Sequence, residues 1–292
     1  MTIDHCTLCP RACGAQRTET AGSGFCGMGI LPVVARAAPH FGEEPCVTGT
    51  RGSGAVFFRG CGLGCVFCQN SEISRGDGPG RRVTAEALGG VFAALREQGV
   101  HNINLVTASH VAPVVAQALR RYPPGIPVVY NCGGYESLET LRLLDGLVDV
   151  YLPDFKYADA DTALRCANAP DYPQAALAAI RAMRAQTGPA QYDEQGLLTR
   201  GILVRHLVLP GLSGASMAAL SLLRDALPAD VPVSLMRQYT PCGQAAGIKG
   251  LDRPLLGREY RRVAAHMRAL GFEGYAQGRE AAGTEMIPAW EG

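Results

Sequence analysis

Three cysteines, Cys61, Cys65 and Cys68, stand in the run Phe57-Phe58-Arg59-Gly60-Cys61-Gly62-Leu63-Gly64-Cys65-Val66-Phe67-Cys68-Gln69-Asn70, spaced by three and then two residues after an apolar stretch that reads as a buried strand. Gly60, Gly62 and Gly64 let the backbone take tight or positive-φ turns, so the loop can wrap a metal group with its amides turned toward the sulfurs. Thiolates suit iron–sulfur clusters. A local set of three leaves one iron of a four-iron cubane without a protein ligand, open to a small chelating molecule. A zinc ion held by three cysteines and a water would use the same ligands, and spacing alone leaves both open.

Four more cysteines come earlier, Cys6, Cys9, Cys13 and Cys26, in C-x2-C-x3-C-x12-C spacing within 21 positions. Four thiolates close a complete coordination shell, which serves structure or electron relay rather than substrate chemistry. Zinc would organise a segment too short for a core of its own; an auxiliary iron–sulfur cluster would take the same four ligands, and unligated thiols are the third reading. Cys46, in Glu43-Glu44-Pro45-Cys46, reads as a buried thiol rather than a replacement ligand, and Cys132, Cys166 and Cys242 stand alone as core or incidental residues. Two glycine-rich stretches are set aside. Gly22 to Gly27 matches G-x-G-x-x-G, but no apolar strand precedes it and Cys26 sits inside it; Gly49 to Gly54 lacks the lysine of a phosphate-binding loop and reads as a turn.

The elements that must position these residues follow an α/β alternation. Short apolar strands are expected at Ala55 to Arg59, Asn102 to Thr107, Ile126 to Asn131, Val148 to Leu152, Ile202 to Leu209 and Val231 to Gln238, each covered on both faces. Leu88, Val91, Phe92 and Leu95 recur at helical spacing behind Thr84 as N-cap, and Ser137 caps a helix through Leu144. Further helices are expected at Ala175 to Gln186, Ala215 to Ala226 and Leu256 to Leu270, the last stopped by Gly271. Six βα units without a seventh and eighth argue for a partial (β/α)6 barrel over 51–292, with functional groups at the carboxyl ends of its strands. The first fifty residues, 1–50, lack periodicity and are dense in Cys, Gly and Pro; they read as a Cys-rich N-terminal metal-binding extension.

Composition limits the function. The 292 residues suffice for two domains or one large barrel, and 47% hydrophobic with 18% charged residues excludes wholesale disorder. With 27 Lys plus Arg against 26 Asp plus Glu, a net +1 offers no electrostatic capture of nucleic acid or of an anionic membrane. No stretch reaches the ~18 apolar residues of a membrane span. The sequence opens without a basic and apolar leader, so a cytoplasmic location is expected, where eleven cysteines point to metal rather than disulfides.

The C-x3-C-x2-C spacing, with the aromatic Phe67 just before the last cysteine, resembles the radical S-adenosylmethionine (radical SAM) superfamily. More narrowly, Gly60 to Asn70, Tyr151-Leu152-Pro153-Asp154-Phe155-Lys156 and Arg205-His206-Leu207-Val208-Leu209-Pro210-Gly211 are similar to the pyruvate formate-lyase-activating-enzyme-like branch. The resemblance implies a [4Fe-4S] cluster on Cys61, Cys65 and Cys68, with the amine and carboxylate of SAM on the fourth iron. It implies an electron donor such as flavodoxin or ferredoxin, and reductive cleavage of SAM to methionine and a 5′-deoxyadenosyl radical that abstracts hydrogen from a substrate.

By the same resemblance Asp154, Lys156 and Arg205 are candidates to hold the SAM carboxylate or ribose; a structural ion pair at a strand end is their alternative. Arg205 and His206 point to opposite faces of their strand, so at most one of them easily reaches the cavity. Where the superfamily commonly carries Gly-Gly-Glu after the second strand, this chain has Thr107-Ala108-Ser109-His110, so Thr107 and Ser109 are assigned to that place, with helix capping as the alternative for Ser109. Asn131, before Cys132-Gly133-Gly134, is a candidate SAM or substrate contact, with an incidental Asn in a Gly-rich turn as the alternative; Gln238 and Tyr239 are candidates to face the adenine, with a buried Tyr bonded to the backbone as the commoner outcome. A glycyl-radical-enzyme activase with a protein substrate is the first expectation; a small metabolite or peptide substrate, and a non-catalytic iron–sulfur electron carrier, are the alternatives.

Overall fold

The computed structural model describes residues 2–74, 78–281 and 290. Among the described residues eleven strands run in chain order: β1 (Val33–His40), β2 (Ser53–Phe58), β3 (Arg81–Arg82), β4 (Ile103–Val106), β5 (Val128–Cys132), β6 (Val150–Pro153), β7 (Gln191–Tyr192), β8 (Leu198–Ile202), β9 (Val204–Leu207), β10 (Val233–Met236) and β11 (Gly274–Ala276). Strands β2, β4, β5, β6 and β8 pair in parallel in that order, and β9, β10 and β11 continue the parallel series. Only Leu203 separates β8 from β9, and a bridge from Asp154 to Arg205 carries the β6 pairing across that break. These are the six strands expected from the sequence, in the order of a partial barrel, with β11 added at the far edge.

Burial on both faces explains why the strands read as apolar runs. Every residue of β2, β4, β5, β6 and β10 is buried. One face packs on helices α3 (Ala85–Glu97), α4 (Ala112–Arg121), α7 (Tyr172–Thr187), α8 (Ser213–Ala226) and α9 (Gly257–Ala269), where Leu88, Phe92 and Leu95 meet Val56, Phe58 and Leu105. The caps form as the sequence predicts: Thr84 accepts from the Ala87 amide and Ser137 from the Thr140 amide at the start of α5 (Leu138–Leu144). Helix α7 begins three residues ahead of its expected start because Tyr172 is fully buried and Pro173 suits the first turn. Among the described residues no helix is long and apolar enough to cross a membrane.

The other face of the sheet is the barrel interior, and part of the N-terminal segment fills it. Strand β1 pairs antiparallel with β2, and the chain then turns inward through helix α1 (Pro45–Thr48). Cys46 and Val47 pack there with Val129, Val150, Leu152, Leu198 and Leu203. The helix plugs the barrel and leaves Glu43 and Glu44 just above the plug; Cys46 is therefore a buried interior thiol, as expected. Residues 2–32 carry only isolated bridges, Ile3 to Arg17 and Arg17 to Gly22, which agrees with their lack of sequence periodicity.

Candidate active site

The loop after β2 places all three of its cysteines in one place. Backbone bonds pin it: Gly60 N to Ile73 O (2.9 Å), Gly64 N to Ala167 O (3.1 Å) and Val66 N to Cys166 O (2.9 Å), the last two reaching the end of helix α6 (Ala160–Ala167). Gly60 sits at φ +90° with Met28 and the His110 ring packed where a Cβ would stand, so no larger residue fits. Cys61, Cys65 and Cys68 then line a cavity at the carboxyl ends of the strands, and the Leu63 amide donates to Cys61 Sγ (3.3 Å). Burial pushes the Cys61 thiol well up and the Cys65 thiol to about 12, with neighbouring thiols adding at Cys61 and Lys156 opposing the shift at both. Ligation at these sulfurs must displace protons.

Across the cavity stands a network of opposite charges. Arg205 donates from Nε to Asp154 Oδ1 (3.0 Å), from Nη1 to Glu43 Oε2 (3.0 Å) and from Nη2 to Asn131 Oδ1 (2.5 Å). Asn131 Nδ2 and Asn104 Nδ2 both donate to Glu43 Oε1, and Lys156 Nζ donates to Asp154 Oδ2. Burial alone would raise the Asp154 carboxyl; Lys156 and Arg205 overcome it and hold the group below its ordinary value. The same ion pairs raise Lys156 and Arg205 against a burial that would lower them. Two cations meet Asp154 and Glu43 across the wall, while burial pushes the neighbouring Glu44 carboxyl up toward its neutral form beside Arg205. Such a wall can bind a zwitterion by exchanging partners.

The sequence-predicted residues divide cleanly. Thr107, Asn131, Asp154, Lys156 and Arg205 line the same cavity as the three cysteines, as do Gln238 and Tyr239. His206 faces away and its Nδ1 meets Phe155 O, as strand alternation requires. Tyr239 is spent on Leu251 O, and Gln238 accepts from Gln277. Ser109 is not brought to the cavity. It lies behind the wall in a short 3-10 turn and donates to Glu136 Oε1 (2.6 Å), to whose other oxygen Tyr130 donates (2.9 Å). Burial lifts the Glu136 carboxyl to about 7 in spite of these bonds.

Thr107 has φ +61°, a left-handed conformation that a β-branched residue adopts only under strain, at the strand end that borders the cavity. Glu43 is the functional residue that sequence reasoning missed, because it reaches the cavity only through the plug and no local pattern announces it. Cys242 also lines the cavity, its thiol against Phe67 O (3.2 Å). Its position just past the sixth expected strand was the available signal.

The four N-terminal cysteines share one neighbourhood on the outer side of this loop. Cys9 interacts electrostatically with Cys26 and Cys6, and Cys26 with Cys6 and Cys13. Cys9 Sγ lies 3.2 Å from the Cβ position of Gly62, and Arg11 Nε donates to Gly62 O (2.9 Å), so this segment is fastened to the loop of Cys61. Among the described residues no group of three or more His, Cys, Asp or Glu side chains is gathered closely enough as it stands to hold a metal ion. The fit of a cluster is thus one of donor set and loop rather than of a preformed cage: three thiols on one glycine-rich turn, an amide aimed at a sulfur, and a cavity in front.

A family model described as Radical SAM superfamily matches residues 55–219. The chain is similar to the uncharacterized protein MJ0674 of Methanocaldococcus jannaschii, 27% identical over 269 residues that cover 89% of this chain and 73% of that protein. Among solved structures it is similar to a radical SAM methyltransferase from Sphaerobacter thermophilus, with 17% identity, 76% of this chain and 65% of that one covered, and a TM-score of 0.50. It is also similar to Streptococcus suis SuiB bound to the precursor peptide SuiA, with 10% identity, 76% and 47% covered, and a TM-score of 0.50. The chain thus spans about half the length of SuiB and just under two thirds of the methyltransferase, and at these identities the likeness is one of fold.

Proposed function

Because the chain belongs to the radical SAM superfamily, we propose that Cys61, Cys65 and Cys68 hold its [4Fe-4S] cluster and that Asp154, Lys156, Arg205, Asn131 and Thr107 hold SAM in front of it. When bound, the cluster and SAM supply one-electron cleavage of the sulfonium to methionine and a 5′-deoxyadenosyl radical that abstracts hydrogen from the substrate. The protein's part is binding and exclusion of water. Arg205 and Lys156 offer cations to a carboxylate, Asp154 and Glu43 offer carboxylates to an amine or ribose, and each gives up an internal partner when it does so. The plug of α1 seals one end of the barrel, and Phe57, Val106 and Met236 supply apolar walls. The observation that carries this reading is the shared cavity: all three cysteines face the Asp154–Lys156–Arg205 network.

The motifs around Asp154 and Arg205 support placement in the activating-enzyme-like branch, with a glycyl-radical enzyme as protein substrate and a flavodoxin or ferredoxin as electron donor. The convergent polar groups of the cavity favour a second reading, a small-metabolite substrate. The 1–50 segment serves as a metal-binding extension in which Cys6, Cys9, Cys13 and Cys26 bind zinc or an auxiliary iron–sulfur cluster. The test is anaerobic reconstitution with iron and sulfide, addition of dithionite and SAM, and assay of 5′-deoxyadenosine. Wild type forms it and Cys65→Ser does not; formation by Cys65→Ser at the wild-type rate overturns the assignment. Adding a glycyl-radical enzyme then separates the substrates by the appearance of a glycyl radical signal.

A further inference from the structure

The most unusual charge in the molecule lies outside the cavity. Arg17 is 2% exposed, one of the largest fully buried side chains. Its Nε donates to Met28 O (2.9 Å), its Nη2 to Gly29 O (2.5 Å) and His110 O (2.6 Å), and its Nη1 to Cys6 Sγ (3.4 Å). Among the described residues no carboxylate is hydrogen-bonded to it. A buried guanidinium without a counter-charge is costly, and its three carbonyl bonds supply dipoles but no charge. The titratable groups against it are Cys6, Cys26 and His110, and a histidine has no anionic form to offer. The one side-chain atom its guanidinium hydrogen-bonds among the described residues is the Cys6 sulfur (3.4 Å), and a metal-bound thiolate there would supply a counter-charge.

We propose that Arg17 is the built-in counter-ion of a four-thiolate metal site formed by Cys6, Cys9, Cys13 and Cys26, and the clamp that ties this site to the base of the Cys61 loop. The inference rests on the reading above that these cysteines bind metal. Ligation forms four metal–sulfur bonds in place of four S–H bonds, with the protons released to solvent. Four thiolates around a divalent zinc, or around an oxidised four-iron cluster of charge two plus, leave two negative charges, and Arg17 offsets one of them. The clamp is geometric. Arg17 holds the carbonyls of Met28 and Gly29, two and three residues past Cys26, together with that of His110, whose ring contacts Arg59 O (2.7 Å) at the start of the loop.

The test uses the full chain carrying Cys61→Ala, Cys65→Ala and Cys68→Ala, so that bound metal reports on the N-terminal site alone. It is loaded in separate samples with zinc(II) and with iron plus sulfide. The parent retains one or the other, Arg17→Met loses it at chelator concentrations about 10 to 100 times lower, and Arg17→Lys falls between. The difference in thermal unfolding between loaded and metal-free protein supplies a readout that plain packing loss would not move. Arg17→Met lowers the midpoint in both states, because three carbonyls lose their donor, but lowers it more in the loaded protein, where the sulfurs also lose their counter-charge. Equal lowering in both states, or chelator resistance within about twofold of the parent, overturns the role of Arg17. If Arg17→Met does not accumulate, Arg17→Lys decides: loss as complete as in Cys13→Ser overturns the proposal. Failure of the parent to retain either metal overturns the metal-site reading itself, while 5′-deoxyadenosine formation by wild type reports separately on the Cys61 loop.

Discussion

The two cysteine regions touch, yet they solve opposite problems. Around Cys6, Cys9, Cys13 and Cys26 there are four thiols, no cavity assigned to substrate, and a buried cation, Arg17, that donates to Cys6 Sγ and to three backbone carbonyls. Around Cys61, Cys65 and Cys68 there is an open cavity, which Cys132 and Cys242 also line, and the cations Lys156 and Arg205 are already shared with Asp154 and Glu43. On the proposed reading, a closed shell would keep its counter-charge for itself. An open one keeps charges that cancel while idle and can be lent to an incoming ligand.

The sharpest way to break this contrast is to remove one sulfur from each region. Cys65→Ser is expected to reduce SAM cleavage to the uncatalysed background, whereas Cys13→Ser lowers metal content or stability first and leaves measurable cleavage; equal loss in both would erase the distinction. The next effect is on the balanced network. Arg205→Met leaves Glu43 without its cation and Asp154 with Lys156 alone, and should cost about 3 kcal/mol in urea unfolding, with SAM binding weakened. A cost below about 1 kcal/mol would mean that water already screens the pair.

Much of this organisation was legible in the residues and some was not. The parallel strands were readable because burial on both faces leaves continuous apolar runs such as Gly54-Ala55-Val56-Phe57-Phe58, and Thr84 and Ser137 announced their helices by capping. Strand β1 was not: its residues pass from buried to exposed along Val33–His40, without the alternation or the apolar run that marks a strand. Glu43 was hidden for a deeper reason, since its partners Arg205, Asn131 and Asn104 lie from 61 to 162 positions away. Arg17 was equally silent, because one arginine among 25 has no local pattern that marks it for burial. Ser109 had the right chain position but the wrong direction, drawn behind the wall by Glu136.

Two smaller effects sharpen the account of the cavity wall. Glu136 has a folded-state pKa near 7 against an ordinary 4.5 because burial disfavours its charge. Its protonation therefore favours the fold, a contribution fully present below about pH 4.5 and lost as pH rises through about 7, worth about 3 kcal/mol at most. Glu136→Gln should flatten the stability profile across that window, measured by urea unfolding at several pH values; an unchanged slope would place the titration elsewhere. Smaller still, Thr107→Gly should raise stability by about 1 kcal/mol by releasing the left-handed strain, while SAM affinity falls if the threonine hydroxyl takes part in binding.

The most direct test of the open iron is electron–nuclear double resonance on the reduced, reconstituted protein with SAM labelled with nitrogen-15 at its amino group. A hyperfine coupling between that nitrogen and the cluster is expected in the wild type, lost when Cys65→Ser removes the cluster. A cluster that shows no coupling to SAM because a protein side chain completes its fourth site, or a zinc ion in place of the cluster, would contradict it.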